Sequence, residues 1–269
     1  MKPVVSIDHS DFAVDGALTH LGRTWNGYRV EGLLFHRRAS SAAFADANPK
    51  TRDLWTHADG TPWDVDRNIS EFISVLPVWR ACGLDAVALS LQGGPPTYAD
   101  RSVPPWQSPI RPWHSPAFAR DGSLDPATRS RFDRVLDAVA DCGLVAILDL
   151  FTPGQAARLA DEAAFRRATD QGSRWLLDRG DENVIVNVCQ ATGTRTHSHA
   201  VLQPERINEL ARQIHDASLG GRRLLVGASM PDGVIPSGTV ADVLFSPPTF
   251  GRGSLTFRRA IDALRNTSA

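Results

Sequence analysis

Asp149 stands in "VAILDLF", a single carboxylate inside an otherwise apolar run. A carboxyl group in such a place is costly to ionise unless it is paired, and burial would raise its pKa toward that of a useful general acid. An Asp held by a neighbouring Arg or a backbone amide would explain the same residue without chemistry. His36, Arg37 and Arg38 follow a second apolar run, "VEGLLF". His36 can serve as a base near neutral pH. Arg37 or Arg38 could clamp a carboxylate or a hydroxyl-rich ligand, or simply close a salt bridge across strand ends. Gln92 and Gln155 end two further runs and offer hydrogen bonds to a polar ligand. Trp106 and Trp113 could stack on a sugar or another flat ligand, with His114 beside them, although single tryptophans more often pack. Together these residues point to acid/base catalysis on a polar small molecule, with Asp149 as acid and His36 as base.

Other chemistries find less support. His197 and His199 form an H-x-H pair, but no further His, Cys or Asp follows at ligand spacing. Neither a metal nor a cofactor is therefore expected, and His199 is read as a positioning residue. No G-x-S-x-G elbow and no Walker motif occurs. Cys82, Cys142 and Cys189 are singletons, as expected of reduced thiols, with Cys189 inside an apolar run. A net charge of −1 gives no reason to expect nucleic acid or an anionic membrane as partner. No run of about 18 apolar residues is present, and the start lacks a basic-then-apolar leader. Cytoplasmic residence is the default expectation.

Short β-rich runs alternate with segments of helical spacing. "VEGLLF", "DAVALSLQGG", "LVAILDLF", "NVIVNVCQ", "RRLLVGAS" and "VADVLFSPP" are the expected strands. Between them, Ile69, Phe72, Ile73, Leu76 and Trp79 mark one helical stripe, closed by Gly83. Others run from Pro126 to Gly143, from about Ala163 to Arg179, across "PERINELARQIHDASLGG" and across "LTFRRAIDALR". This alternation calls for an α/β fold with a parallel sheet and right-handed crossovers. A TIM-type (β/α) barrel is preferred to a doubly wound sheet because no Gly-rich phosphate fingerprint follows a strand. At 269 residues the chain is read as one domain. Residues 1–29 form an N-terminal β-hairpin turning near Asp15-Gly16, which would plug the barrel bottom or pad an edge. Residues 92–125, rich in Pro and Trp, form a lid-like loop over the mouth. Glu31 falls near the start of the first strand, where a structural role is expected.

"GRTWNGYRVEGLLFHRR", "NPKTRDLWTHADGTPWDVDRNISEFISVLPVWRACGL", "LSLQGG", "FTPGQAARLADEAA" and "HAVLQPERINELAR" carry a family resemblance across roughly residues 20 to 250. The chain resembles cellulase-like bacterial relatives of the clan-A retaining glycoside hydrolases. The resemblance implies a (β/α)8 barrel with two catalytic glutamates, an acid/base after the fourth strand and a nucleophile after the seventh. Such chemistry requires both groups, about 5 Å apart. The first position falls on Gln190-Ala191, where Gln190 can hydrogen-bond but Ala191 cannot transfer a proton. The sequence ends at Ala269, after six expected strands, so no counterpart of the second glutamate is expected within it.

Three readings follow. The first is a glycoside-hydrolase-like barrel of about six β/α units, repurposed for cyclisation, isomerisation, elimination or dehydration of a polar small molecule. The others are a non-catalytic ligand-binding pseudo-glycosidase and a divergent glycoside hydrolase with relocated carboxylates. A partial barrel exposes strand edges, which the hairpin or a homodimer would cover.

Overall fold

The computed structural model describes residues 2–94, 113–152, 154–189, 199–229 and 239–245. The chain opens with three short antiparallel strands, β1 (Val5–Asp8), β2 (Asp11–Val14) and β3 (Ala17–Leu18). Asp15 and Gly16 both adopt positive φ, as the expected tight turn between β2 and β3 requires. A second hairpin, β4 (Thr24–Trp25) and β5 (Tyr28–Arg29), turns on Asn26-Gly27 in the same way.

The β/α series follows. Its elements are β6 (His36–Arg38), α1 (Val65–Ala81), β7 (Ala86–Ser90), α2 (Pro126–Asp141), β8 (Val145–Phe151), α3 (Glu162–Arg179), β9 (Val184–Cys189) and α4 (Ile207–Asp216). A small hairpin of β10 (Ser218–Leu219) and β11 (Arg222–Arg223) precedes β12 (Leu225–Ser229) and β13 (Val243–Phe245). Six strands pair in parallel in the order β13-β12-β9-β8-β7-β6. That is simple sequence order, as along part of a barrel wall. Among the described residues β6 and β13 do not pair with each other, so the described sheet is open between them, like part of a barrel wall.

Helix boundaries follow local chemistry. Asp64, Asp125 and Asp161 cap α1, α2 and α3 by accepting the backbone N–H of Arg67, Thr128 and Ala164. Pro126 opens α2 where its missing N–H costs nothing. Helices α1 and α2 end alike, on Cys82-Gly83-Leu84 and Cys142-Gly143-Leu144. Each glycine takes a positive φ, and each leucine N–H bonds back to the helix, to Trp79 and Val139.

All four helices pack on one face of the sheet. Ile69 and Leu76 of α1, Phe132 and Val135 of α2, Phe165 and Trp175 of α3, and Leu210 and Ile214 of α4 share one core. Its strand members include Val87, Leu89, Ala146, Leu148, Val186 and Val188. A doubly wound sheet would have helices on both faces. Here the other face carries Ala86, Ala88, Val145, Ile147, Ile185 and Val243, and the N-terminal strands cover it with Val5, Ile7, Phe12 and Val14. The hairpin therefore plugs the inner face rather than padding an edge. Val5 N–H donates to Glu182 O, tying the plug to the start of β9.

The first strand corrects the sequence-based boundary. "VEGLLF" is a loop, because Glu31-Gly32 turns with Gly32 at φ 77° and Leu33 N–H bonds back to Val30. Pairing with β7 begins only at His36, so the His36–Arg38 triplet is the strand instead of following it. The final expected helix, "LTFRRAIDALR", lies outside the described residues.

Candidate active site

Toward their C-terminal ends the inward positions turn from apolar to polar. Ala86 and Ala88 lead to Ser90, Val145 and Ile147 to Asp149, Ile185 to Asn187, and Gly227 to Ser229. The register places Ser90 beside Asp149 and Asp149 beside Asn187. Each polar residue interrupts an apolar strand in nearly the same layer, which is why they meet. Catalytic groups of barrels gather at this end of the strands.

Asp149 is 3% exposed. Its Oδ1 accepts a hydrogen bond from Asn187 Nδ2 at 2.6 Å. Its Oδ2 is buried and, among the described residues, accepts none. Arg38 Nη1 stands 3.6 Å from Oδ2, an ion-pair distance beyond hydrogen-bond range. Burial pushes the Asp149 pKa up to about 6, against the opposing pull of Arg38 and Asn187. The amide of Asn187 also bonds Cys189 O at 2.9 Å, and Ser229 Oγ donates to the same carbonyl at 2.9 Å. Asn187 Oδ1 is a second buried acceptor without a hydrogen bond among the described residues. Two acceptors left open in one polar layer suit a site that receives a donor, whether a proton on Asp149 or a ligand hydroxyl.

Replacing Asn187 by Leu removes the donor without opening space for water. The Asp149 pKa is then expected to rise above about 6, as its neutral form loses less than its carboxylate. Carbon-13 NMR of the labelled carboxyl would follow this, and an unchanged or lower value would contradict the role given to Asn187.

The sequence-derived candidates separate in space. Arg38 joins Asp149, and Arg37 does not. Its guanidinium lies 4.9 Å from the Trp79 ring centroid, on the helix side of β6. His36 shares the layer of Ala86 and Val145, four residues before Asp149 along β8, which is roughly 13 Å. His36 and Asp149 are thus not brought together as a base and its acid. The His36 pKa is lowered, first by protein atoms crowding the ring and also by Arg38, while a backbone hydrogen bond at Leu34 opposes the shift. Phe151 leaves the alternation of β8 and packs against Phe118 and Phe165, the latter on α3.

Gln92 and Gln155 are buried braces between loops. Gln92 Oε1 accepts Thr152 N–H at 2.7 Å. Gln155 accepts Ser115 N–H at 2.8 Å and donates to Trp113 O at 3.0 Å. Trp113 is itself buried, edge-on to Phe44 in a cluster with Trp55. His199 stands against the Phe165 ring, 4.8 Å between centroids. Trp106, Gln190 and His197 lie outside the described residues. Among the described residues no cluster of three or more His, Cys, Asp or Glu could hold a metal, and no helix is long and apolar enough to cross a membrane. Cys82, Cys142 and Cys189 form no disulfide with one another, and Cys189 is fully buried. Sequence reasoning missed Ser90, Asn187 and Ser229. Their signal was a polar residue inside an apolar run, as for Asp149.

No family model and no curated protein matches the chain. Solved structures resemble it at low identity. A glycoside hydrolase family 5 enzyme from Prevotella bryantii B14 matches 86% of this chain and 74% of its own, at 12% identity and a TM-score of 0.48. A broad-specificity endoglucanase from Ruminococcus flavefaciens matches 81% and 70%, at 14% identity and a TM-score of 0.48. A family 5 glycoside hydrolase from Bacteroides vulgatus ATCC 8482 matches 85% of this chain at 11% identity and a TM-score of 0.46, and the chain spans only 39% of that protein.

Proposed function

We propose that this chain is an enzyme built on a glycoside-hydrolase-like partial barrel, and that Asp149 is its acid/base catalyst on a polar small molecule. The supporting observation is the half-satisfied buried carboxyl, with Oδ1 held by Asn187 and Oδ2 open beside Arg38. A carboxyl group with a pKa of about 6 is present in both forms near neutrality. The protonated form gives its proton to a leaving or carbonyl oxygen, and the carboxylate takes a proton back from carbon or water. Arg38 balances the charge that appears on Asp149 in the first step. Ser90, Asn187 and Ser229 supply hydrogen-bonding groups in or next to its layer, which suits a hydroxyl- or carbonyl-bearing substrate. Cyclisation, isomerisation, elimination and dehydration all need this single shuttle, whereas retaining glycoside hydrolysis needs two carboxylates.

The test incubates wild-type protein and Asp149→Asn with a panel of small polyols, hydroxyketones and 4-nitrophenyl glycosides. Rearrangement or dehydration of a panel member, slowed by about 10² to 10⁴-fold in Asp149→Asn, is the expected result. Nitrophenol release that vanishes in the variant would replace this reading with a divergent glycoside hydrolase. Ligand binding without turnover by either protein would leave a non-catalytic binder.

A further inference from the structure

A separate open groove of about 910 Å³ lies among the connections that follow β6, β7, β8 and β9. Asp149 is not among its lining residues. Beside Ser115 its polar lining is basic, with His114, Arg120, Arg158 and His199, and among the described residues no Asp or Glu lines it. Among the described residues neither the Arg158 nor the Arg120 guanidinium has an ion-pair or hydrogen-bond partner, and Arg158 Nε is buried without one. The nearby acid, Asp46, is already committed. It accepts from Asn48 N–H, His114 N–H, Thr51 Oγ1 and Trp55 Nε1. Burial lowers the pKa of Arg158 and of His114, and Arg158 lowers that of His114 further. Asp46 offsets part of that burial cost from a distance, beyond ion-pair range, and an incoming anion in the groove would pair with the Arg158 guanidinium directly.

We propose that this groove binds the anionic group, carboxylate or phosphate, of a small molecule, with Arg158 as its principal contact. Arg158 supplies a planar fork of donors that matches either oxyanion. Arg120 adds a second charge from the exposed rim, and His114 and His199 add ring donors. The volume is in the range of small-molecule sites and larger than an inorganic ion needs, so the anion is one end of a larger ligand. The inference stands on the groove's own residues and is independent of the role given to Asp149.

Calorimetric titration of the full chain with inorganic phosphate, and separately with malonate, at ionic strength held constant by sodium chloride, tests it. Saturable binding of either is expected, and the tighter of the two names the group. Arg158→Gln should weaken that binding by about tenfold or more. Arg120→Gln alters only an exposed side chain and should weaken it too, which keeps the test decisive if Arg158→Gln does not fold. Absence of saturable binding by both anions, or unchanged affinity in the variants, overturns the proposal.

Discussion

Asp149→Asn is expected to inactivate the protein and also to stabilise it at neutral pH. The native carboxyl is 3% exposed, and burial holds its pKa at about 6, above the ordinary 3.8. The folded state therefore binds this proton more tightly than the unfolded chain does. Stability from that preference is full below about pH 4 and is lost as pH rises through about 6. At roughly 1.4 kcal/mol per pH unit, the loss is about 3 kcal/mol. Asparagine keeps an oxygen for Asn187 Nδ2 but cannot ionise, so its protein should not show this decline. Urea unfolding at about pH 3.5 and at pH 8 would read both curves. They should converge at the acid end, with the variant ahead by up to about 3 kcal/mol at pH 8. A variant less stable at pH 8 would mean that the Arg38 ion pair outweighs burial, making Asp149 structural.

The same residue shows how far the sequence reaches. Asp149 is visible because a charge inside "VAILDLF" has no structural reason to be there unless something meets it. Asn187 in "VIVNVC" has the same form, yet what it touches depends on register across two strands. One strand's pattern gives alternation but not the neighbour's offset, so Asn187, Ser229 and Ser90 stayed unread. The four helices themselves were legible, since stripes and end signals are local, whereas their placement on one sheet face rested only on the lack of a Gly-rich phosphate fingerprint. The choice between Arg37 and Arg38 was not, because it turns on where β6 begins. Apolar "VEGLLF" looks like a strand, while Gly32 turns the chain and moves pairing to His36. Gln92 lies two residues beyond β7, whereas Gln155 lies four beyond β8, at the start of a short turn of 3-10 helix, and not at the strand end. That they brace loops, through Thr152, Ser115 and Trp113, could be learned only from the folded chain.

Arg179→Met should cost about 3–5 kcal/mol of stability while leaving the Asp149 layer in place. Arg179, the last residue of α3, donates to Asp133, Asp137 and Asp181 at 2.6, 2.7 and 2.6 Å. The Asp181 side chain is 1% exposed and the Arg179 side chain 10%. Lys2 reaches the same group, 2.6 Å from Asp181 and 3.0 Å from Asp137, and so fastens the plug that covers the inner face. Methionine retains much of the aliphatic packing but leaves Asp181 buried with Lys2 as its one remaining cation among the described residues. Burial pushes the Asp137 pKa up, but hydrogen bonds from Lys2 and Arg179 outweigh it and the net shift is downward. Its contribution is present above the unfolded value of 3.8 and is lost as pH falls through the lower folded one, so Arg179→Met should flatten that acid limb. Arg174→Met, one turn back on α3, is the control. Its side chain is 73% exposed and among the described residues pairs only with Asp170, so a loss below about 1 kcal/mol is expected. Equal losses in the two variants would show that Lys2 alone neutralises Asp181, and the N-terminal plug would then be fastened by its own lysine rather than by α3.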